Sequence, residues 1–113
     1  MSGIESFING LDQLGIETER RGGLVLLTLD IVAGDTGQPL AATDPPPDFP
    51  NVPPHWLHLP KDVQLIGSGS RDSELGPDWL RWSRPHPNWV GGEHASKRWL
   101  AHVRSLILYG KRA

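Results

Sequence analysis

The chain has 113 residues, with 11 Lys and Arg against 13 Asp and Glu, a formal net charge of −2 and no cysteine. This length fits a single domain, residues 1–113, that can bury a core of its own. The missing cysteine excludes disulfides, thioesters, thiolate nucleophiles and cysteine-bound metals, and the small net charge provides no overall field to attract nucleic acid or an anionic membrane.

The sequence carries none of the usual signs of membrane insertion or export. No apolar run approaches the roughly 18 residues of a membrane span. The N-terminus also lacks a basic region followed by an apolar stretch and a cleavage site. We therefore expect a cytoplasmic protein with no membrane partner.

The first 32 residues predict a helix followed by a hairpin. Between residues 3 and 15 the apolar side chains recur at spacings of three and four, with Ser2 as a cap and Gly15 as a stop. After a charged stretch, the Gly22-Gly23 pair predicts a turn between a short polar strand and a longer buried one. Residues 32–39 are then expected to form a turn.

Proline dominates the middle of the chain, with eight of the eleven prolines between residues 39 and 60. Apolar side chains alternate with them, which is typical of an ordered, packed loop rather than a disordered linker. After it we expect a brief strand at residues 56–59, a possible strand at 61–66, a flexible tip at 67–70 and a final strand at 75–83.

The last predicted element is a long amphipathic helix over residues 94–109, ended by Gly110. The order of elements predicts an α+β fold with an N-terminal helix, an antiparallel sheet of about four strands, a proline-rich crossover and a C-terminal helix packed on the sheet.

Two motifs resemble the ubiquitin-conjugating E2 (UBC) family. Residues 49–54, Phe-Pro-Asn-Val-Pro-Pro, match the aromatic-Pro-x-x-Pro-Pro turn that follows the third strand in E2 proteins, and residues 86–88 are the E2 tripeptide His-Pro-Asn. With Trp-Ser-Arg at 82–84 and Trp-x-Gly-Gly at 89–92, the chain is most similar to short prokaryotic E2-like proteins. These are encoded in bacterial operons with ubiquitin-like proteins and E1-like adenylating enzymes, and several such operons act in antiphage defence.

The resemblance implies roles for particular residues. The family's Asn, here Asn88, stabilises the oxyanion formed when the ubiquitin thioester is attacked, and its catalytic cysteine lies eight residues further on, where this chain has Ser96. The 37 positions from Phe49 to His86 exceed the family spacing and imply an inserted hairpin around residues 67–73.

Ser96 could act as a nucleophile that forms an oxyester, provided that a base such as His94 or His86 activates its hydroxyl. The alternative is that Ser96 caps the last helix or is merely solvated. Asn88 likewise has two interpretations, an oxyanion donor or a turn residue that bonds its own backbone. For both residues the structural alternative is favoured.

We predict neither a metal site nor any other cofactor. His55 and His58 are three residues apart, but no zinc-binding pattern is present, and we place both histidines at a strand edge. The five tryptophans and nearby arginines could stack on single-stranded nucleic acid. Packing of these rings between the last strand and the last helix is favoured, so no nucleic-acid partner is predicted.

The function expected from the resemblance is that of a non-catalytic or atypical E2-like component that binds a ubiquitin-like protein, an E1-like enzyme, or both. The predicted binding surface includes the loop at residues 49–56 and the segment at residues 82–89, with these candidate residues: Phe49, Pro53, Pro54, Trp56, Trp82 and Trp89. One alternative is an enzyme, a serine-ester acyl carrier using Ser96. Another is a small α+β domain that binds a peptide or subunit, with no conjugation pathway implied. The sequence leaves the oligomeric state open.

Overall fold

The computed structural model describes residues 2–29, 41–67, 69–92, 94–108 and 111–112. Its first element, helix α1 (Gly3–Gln13), begins where expected because the Ser2 hydroxyl accepts a hydrogen bond of 3.2 Å from the Glu5 amide. Gly15 follows the helix with a φ of 76°, in the left-handed region that glycine tolerates best. The predicted amphipathic first helix is confirmed.

The described residues also contain eight strands, numbered in chain order: β1 (Thr18–Arg21), β2 (Leu24–Leu27), β3 (Ala41–Thr43), β4 (Trp56–Pro60), β5 (Val63–Gln64), β6 (Ser70–Asp72), β7 (Trp79–Ser83) and β8 (Lys111–Arg112). Six of them form one antiparallel sheet in the order β1-β2-β3-β4-β7-β6, while β5 pairs with β8 in a separate ribbon. The predicted hairpin at Gly22-Gly23 is confirmed as the β1–β2 turn. The turn expected at residues 32–39 and the helix stop at Gly110 lie outside the described residues.

Three expectations for the sheet need correction. The sheet has six strands rather than about four, because the short segments β3 and β6 add a strand in the middle and one at the edge. The proline-rich segment joins β3 to its neighbour β4, so it is a connection between adjacent strands and not a crossover. The flexible tip expected at residues 67–70 overlaps β6, which begins at Ser70 and pairs with β7, so the hairpin spans residues 70–83 rather than lying around residues 67–73.

Helix α2 (Ala95–Leu108) occupies the predicted C-terminal position. Both helices pack on the same face of the sheet, because the main core joins side chains from each of them to inward-facing strand residues: Phe7, Leu11, Val25, Leu27, Leu57, Leu59, Trp82, Trp99, Leu100 and Val103. Phe7 lies at the centre, with its ring edge-on to Phe49 at 5.3 Å and to Trp99 at 4.9 Å between ring centroids. Neither helix is long and apolar enough to cross a bilayer.

The opposite face of the sheet carries a second, smaller apolar cluster. Leu24, Leu26 and Ala42 are buried there, and Leu75 packs against them. Further along the same face the alternation of β4 and β7 directs His58 and Arg81 away from the helices, since these two residues are cross-strand partners. This face therefore changes from apolar to polar along the sheet.

Candidate functional site

The proline loop between β3 and β4 is an ordered turn anchored in the main core. Its Phe49 ring is buried between Phe7 and Trp89, and the Phe49–Pro50 peptide bond is cis. Backbone bonds from Phe49 N–H to the Pro46 carbonyl (3.0 Å) and from Asn51 N–H to the Asp48 carbonyl (2.8 Å) fold the loop on itself. The loop is thus packed, as its apolar residues predicted.

The two motif segments, 39 residues apart, are in contact. The indole N–H of Trp89 donates a hydrogen bond of 2.8 Å to the Pro50 carbonyl. Two residues later, a Cβ at Gly91 would lie 2.8 Å from the same carbonyl oxygen, so only glycine permits this approach. We call residues 50–53 together with residues 86–90 the motif surface.

Two apolar side chains of the motif surface point into solvent. Val90 is 69% exposed and Val52 is 43% exposed, and they are among the most exposed large apolar residues of the described chain. From α2, the Arg98 guanidinium donates to the carbonyls of Val90 and, at 2.7 Å, Gly91. Arg98 therefore holds the backbone around Val90 in place, while the Val90 side chain is exposed to solvent.

Only some of the predicted binding residues are accessible. Trp56, Pro53 and Trp89 are half-buried, whereas Phe49, Pro54 and Trp82 are buried. Phe49 and Trp82 belong to the main core, and Pro54 is fully buried. A partner could touch only the first three.

The His-Pro-Asn segment is a turn closed by its own histidine. The Asn88 backbone N–H donates to His86 Nδ1 at 3.3 Å, so this nitrogen carries no proton. The His86 ring packs between Trp89 and His102, and burial, followed by the nearby His102 and Arg98, lowers the pKa of His86. In this conformation His86 is a turn residue, and Asn88 is exposed beside it.

Ser96 connects the two helices. Its side chain is only 5% exposed, and its hydroxyl donates to the Phe7 carbonyl of α1 at 3.2 Å. A Cβ at Gly10 would overlap Ser96 Oγ and lie 2.6 Å from Ser96 Cβ, so the helices touch here through two small residues. A cleft of about 290 Å³ between α1, the proline loop and the start of α2 also reaches Ser96.

This geometry bears on the nucleophile hypothesis. A hydroxyl has one proton, and that of Ser96 points to a backbone carbonyl rather than to a base. His94, two residues before it, is exposed at the entrance to α2, and His86 is engaged in its own turn. In this structure Ser96 is arranged as a packing residue.

One polar site was missed by sequence reasoning. His58, 1% exposed, is hydrogen-bonded through Nδ1 to Ser73 Oγ at 2.7 Å, and the same oxygen accepts from the Leu75 amide at 3.1 Å. The predicted position of His58 at a strand edge is wrong, because β4 lies between β3 and β7 inside the sheet. The sequence does contain a signal for this site. His58 lies between Leu57 and Leu59 in a strand, and alternation directs it to the face of the sheet opposite these two leucines.

Burial also controls the charges around His58. Desolvation lowers the pKa of His58, while the charges of Glu74 and Asp44 partly offset that effect and Arg81 adds to it. Desolvation likewise raises the pKa of Asp44, which lies just beyond β3. His55, by contrast, is exposed, with its Nε2 hydrogen-bonded to Ser83 Oγ at 2.7 Å.

Among the described residues, no group of three or more His, Cys, Asp or Glu side chains is arranged to hold a metal ion. Comparison with known proteins adds no further constraint, because no family model, curated protein or solved structure matches the chain. The geometry of the motif surface is therefore the main guide to function.

Proposed function

We propose that this protein is a non-catalytic E2-like component of a bacterial ubiquitin-like conjugation pathway, and that its motif surface binds a ubiquitin-like protein or an E1-like enzyme. The observation that carries the proposal is the contact between the two segments that resemble E2 motifs. They are joined by the bond from Trp89 to the Pro50 carbonyl and present Val52 and Val90 to solvent.

The order of elements supports the E2 resemblance. A helix precedes the antiparallel strands β1 to β4, which are neighbours in sequence order, and the proline loop follows the third of them. The long helix α2 comes after His-Pro-Asn. The hairpin formed by β6 and β7 lies between the proline loop and the His-Pro-Asn tripeptide. The long spacing between these two motifs predicts an insertion in this region.

The non-catalytic part of the proposal is supported by the position of Ser96. Its hydroxyl is bonded to α1 and its Cβ fills the gap left by Gly10. Activating it would require that bond to break and a base to replace the Phe7 carbonyl. A serine-ester carrier therefore gains no support from the geometry.

Binding can be tested with two matched substitutions. The chain is mixed with a ubiquitin-like protein and an E1-like enzyme from the same organism, and affinities are measured by calorimetry. Val90→Asp places a charge on the motif surface and should weaken binding at least tenfold. Ile66→Asp places one at an equally exposed residue (71%) outside that surface and should leave affinity unchanged.

Two results would refute the binding role. One is that neither partner binds at micromolar concentrations, and the other is that Ile66→Asp weakens binding as much as Val90→Asp does. The non-catalytic role has its own test, in which the chain is incubated with both partners and ATP. We expect no hydroxylamine-sensitive adduct, and an adduct lost in Ser96→Ala would show that the hydroxyl is the acyl carrier.

A further inference from the structure

Two arginines stand directly opposite each other on the sheet. Arg71 of β6 and Arg81 of β7 are cross-strand partners, so their side chains lie on the same face. Like charges in this arrangement repel. Neither arginine forms an ion pair with any acidic side chain in the part of the chain that the structure describes. Within the described residues, neither of these two positive charges has a direct ion-pair partner.

Arg81 is held in place from one side. Its guanidinium carbon lies 4.3 Å from the centre of the Trp56 ring, a cation–π contact across β4 and β7. Its Nε is buried and has no hydrogen-bond partner among the described residues. Arg71 is exposed and lies one strand further out. The side chains on this face of the sheet therefore end, at the edge strand β6, with the positive charge of Arg71.

No strand among the described residues pairs with the outer edge of β6. β6 is the last strand of the sheet and all three of its residues are exposed. The Ser83 N–H donates to the Gly69 carbonyl at 3.4 Å, which makes these opposite residues a hydrogen-bonded pair. Hydrogen-bonded and non-hydrogen-bonded pairs alternate along antiparallel strands. The backbone N–H and C=O groups of Arg71 are therefore bonded to β7, while those of Ser70 and Asp72 point outward.

We propose that the edge of β6 binds an extended acidic peptide segment of a partner protein as a seventh strand, with a carboxylate opposite Arg71. The segment would form backbone hydrogen bonds with Ser70 and Asp72. Its acidic residue would then form the closer, non-hydrogen-bonded type of pair with Arg71, about 4.5 Å between Cα atoms. This inference does not depend on the proposed E2-like role.

Charge selects the partner. Short edge strands that carry charged residues resist indiscriminate pairing. In the same way, Arg71 would repel a positively charged side chain on an incoming strand. A second copy of this chain fits poorly, because antiparallel pairing of two β6 strands centred on Arg71 would place Arg71 against Arg71. An acidic residue of the partner opposite Arg71 would instead offset the repulsion between Arg71 and Arg81.

The test uses the full-length, ¹⁵N-labelled chain and the capped peptide acetyl-Thr-Val-Glu-Val-Thr-amide at up to about 1 mM. The expected result is saturable shifts of the Ser70 and Asp72 amide signals. Replacing Glu by Lys in the peptide should weaken binding about fivefold or more. Methylating the two Val nitrogens should abolish binding, because these atoms donate to β6 in the proposed pairing.

Charge reversal supplies the decisive comparison. Arg71→Glu, at an exposed position, should invert the preference so that the Lys peptide binds more tightly, and Arg71→Lys should retain the original order. The proposal is overturned if the Glu peptide does not bind, if the N-methylated peptide binds equally well, or if Arg71→Glu leaves the preference unchanged. Dimerisation of the chain through β6 would overturn the choice of partner.

Discussion

The two faces of the six-stranded sheet have different compositions and different consequences. The helix-covered face is continuously apolar and joins both helices, the proline loop and four strands in one core. The other face has a small apolar cluster over β2 and β3 and then His58, Arg81 and Arg71. Stability should depend mainly on the first face and sensitivity to charge on the second.

The motif surface belongs to the first face even though it is exposed. Phe49 and Trp89 extend the core outward into the two motif segments. Its shape should therefore respond to mutations in the core, whereas the β6 edge on the far side of the sheet should not. Substitutions on the two faces of the sheet can separate these effects.

The strongest test of the helix-covered face is Phe7→Ala. Phe7 is fully buried between Phe49 and Trp99, so its removal leaves a cavity and should lower the free energy of unfolding by about 3–5 kcal/mol. Leu75→Ala, in the half-buried border of the other cluster, should cost about 1 kcal/mol. Urea denaturation measures both, and equal losses would contradict the division.

A second test concerns the contact between the helices. Gly10→Ala introduces a Cβ that overlaps Ser96 and should destabilise the protein by about 1–3 kcal/mol, despite the better helix propensity of alanine. In a Ser96→Gly background the same change should cost much less. Gly23→Ala, with open space around it, is the control, and a zero coupling energy in the double-mutant cycle would refute the contact.

Trp89→Phe should have a smaller effect. The substitution keeps an aromatic ring against Phe49 but removes the donor to the Pro50 carbonyl, for a loss of about 1 kcal/mol. Hydrogen exchange should also become faster in residues 48–52. Trp79→Phe is the control, since the half-buried Trp79 forms no hydrogen bond through its ring within the described residues. Equal effects of the two substitutions would argue against a joined motif surface.

The smallest predicted effect is a pH dependence on the other face. The folded-state pKa of His58 is lowered from 6.5, so the unfolded state binds more protons, and stability should fall as pH decreases from about 7.5 through 6.5 toward the lower folded-state pKa. The folded-state pKa of Asp44 is raised from 3.8, so this group has the opposite effect: it makes stability increase as pH falls toward 3.8. Thermal unfolding of His58→Gln should show a flatter pH profile near 6.5, and an unchanged profile would refute the assignment.

Much of the fold was predictable because local patterns determine it. The spacing of Ile4, Phe7 and Leu11 and the Ser2 cap gave α1, and Gly22-Gly23 gave the first hairpin. Strands β3 and β6 were missed because three residues each are too short for a period to be recognised. Their pairing depends on neighbouring strands, and the β5–β8 ribbon joins residues almost fifty positions apart.

The candidate site was predictable only in part. The motifs selected the candidate segments, but they did not show that Phe49 and Trp82 face inward, because burial of an aromatic ring depends on what packs on it. The role of Ser96 could not be foreseen either, since it depends on Gly10 of another helix. His58 and Ser73 are fifteen residues apart in neighbouring segments that only the sheet brings together.

Arg98 and Arg84 show how a count of basic residues misleads. Arg98 directs its N–H groups at the carbonyls of Val90 and Gly91, and Arg84 directs its own at those of Ser83 and Ile66. Bidentate recognition of a carboxylate or phosphate needs these same donors. Both cations therefore act as internal clamps on loops, whereas the exposed Arg71 remains available for the charge recognition proposed above.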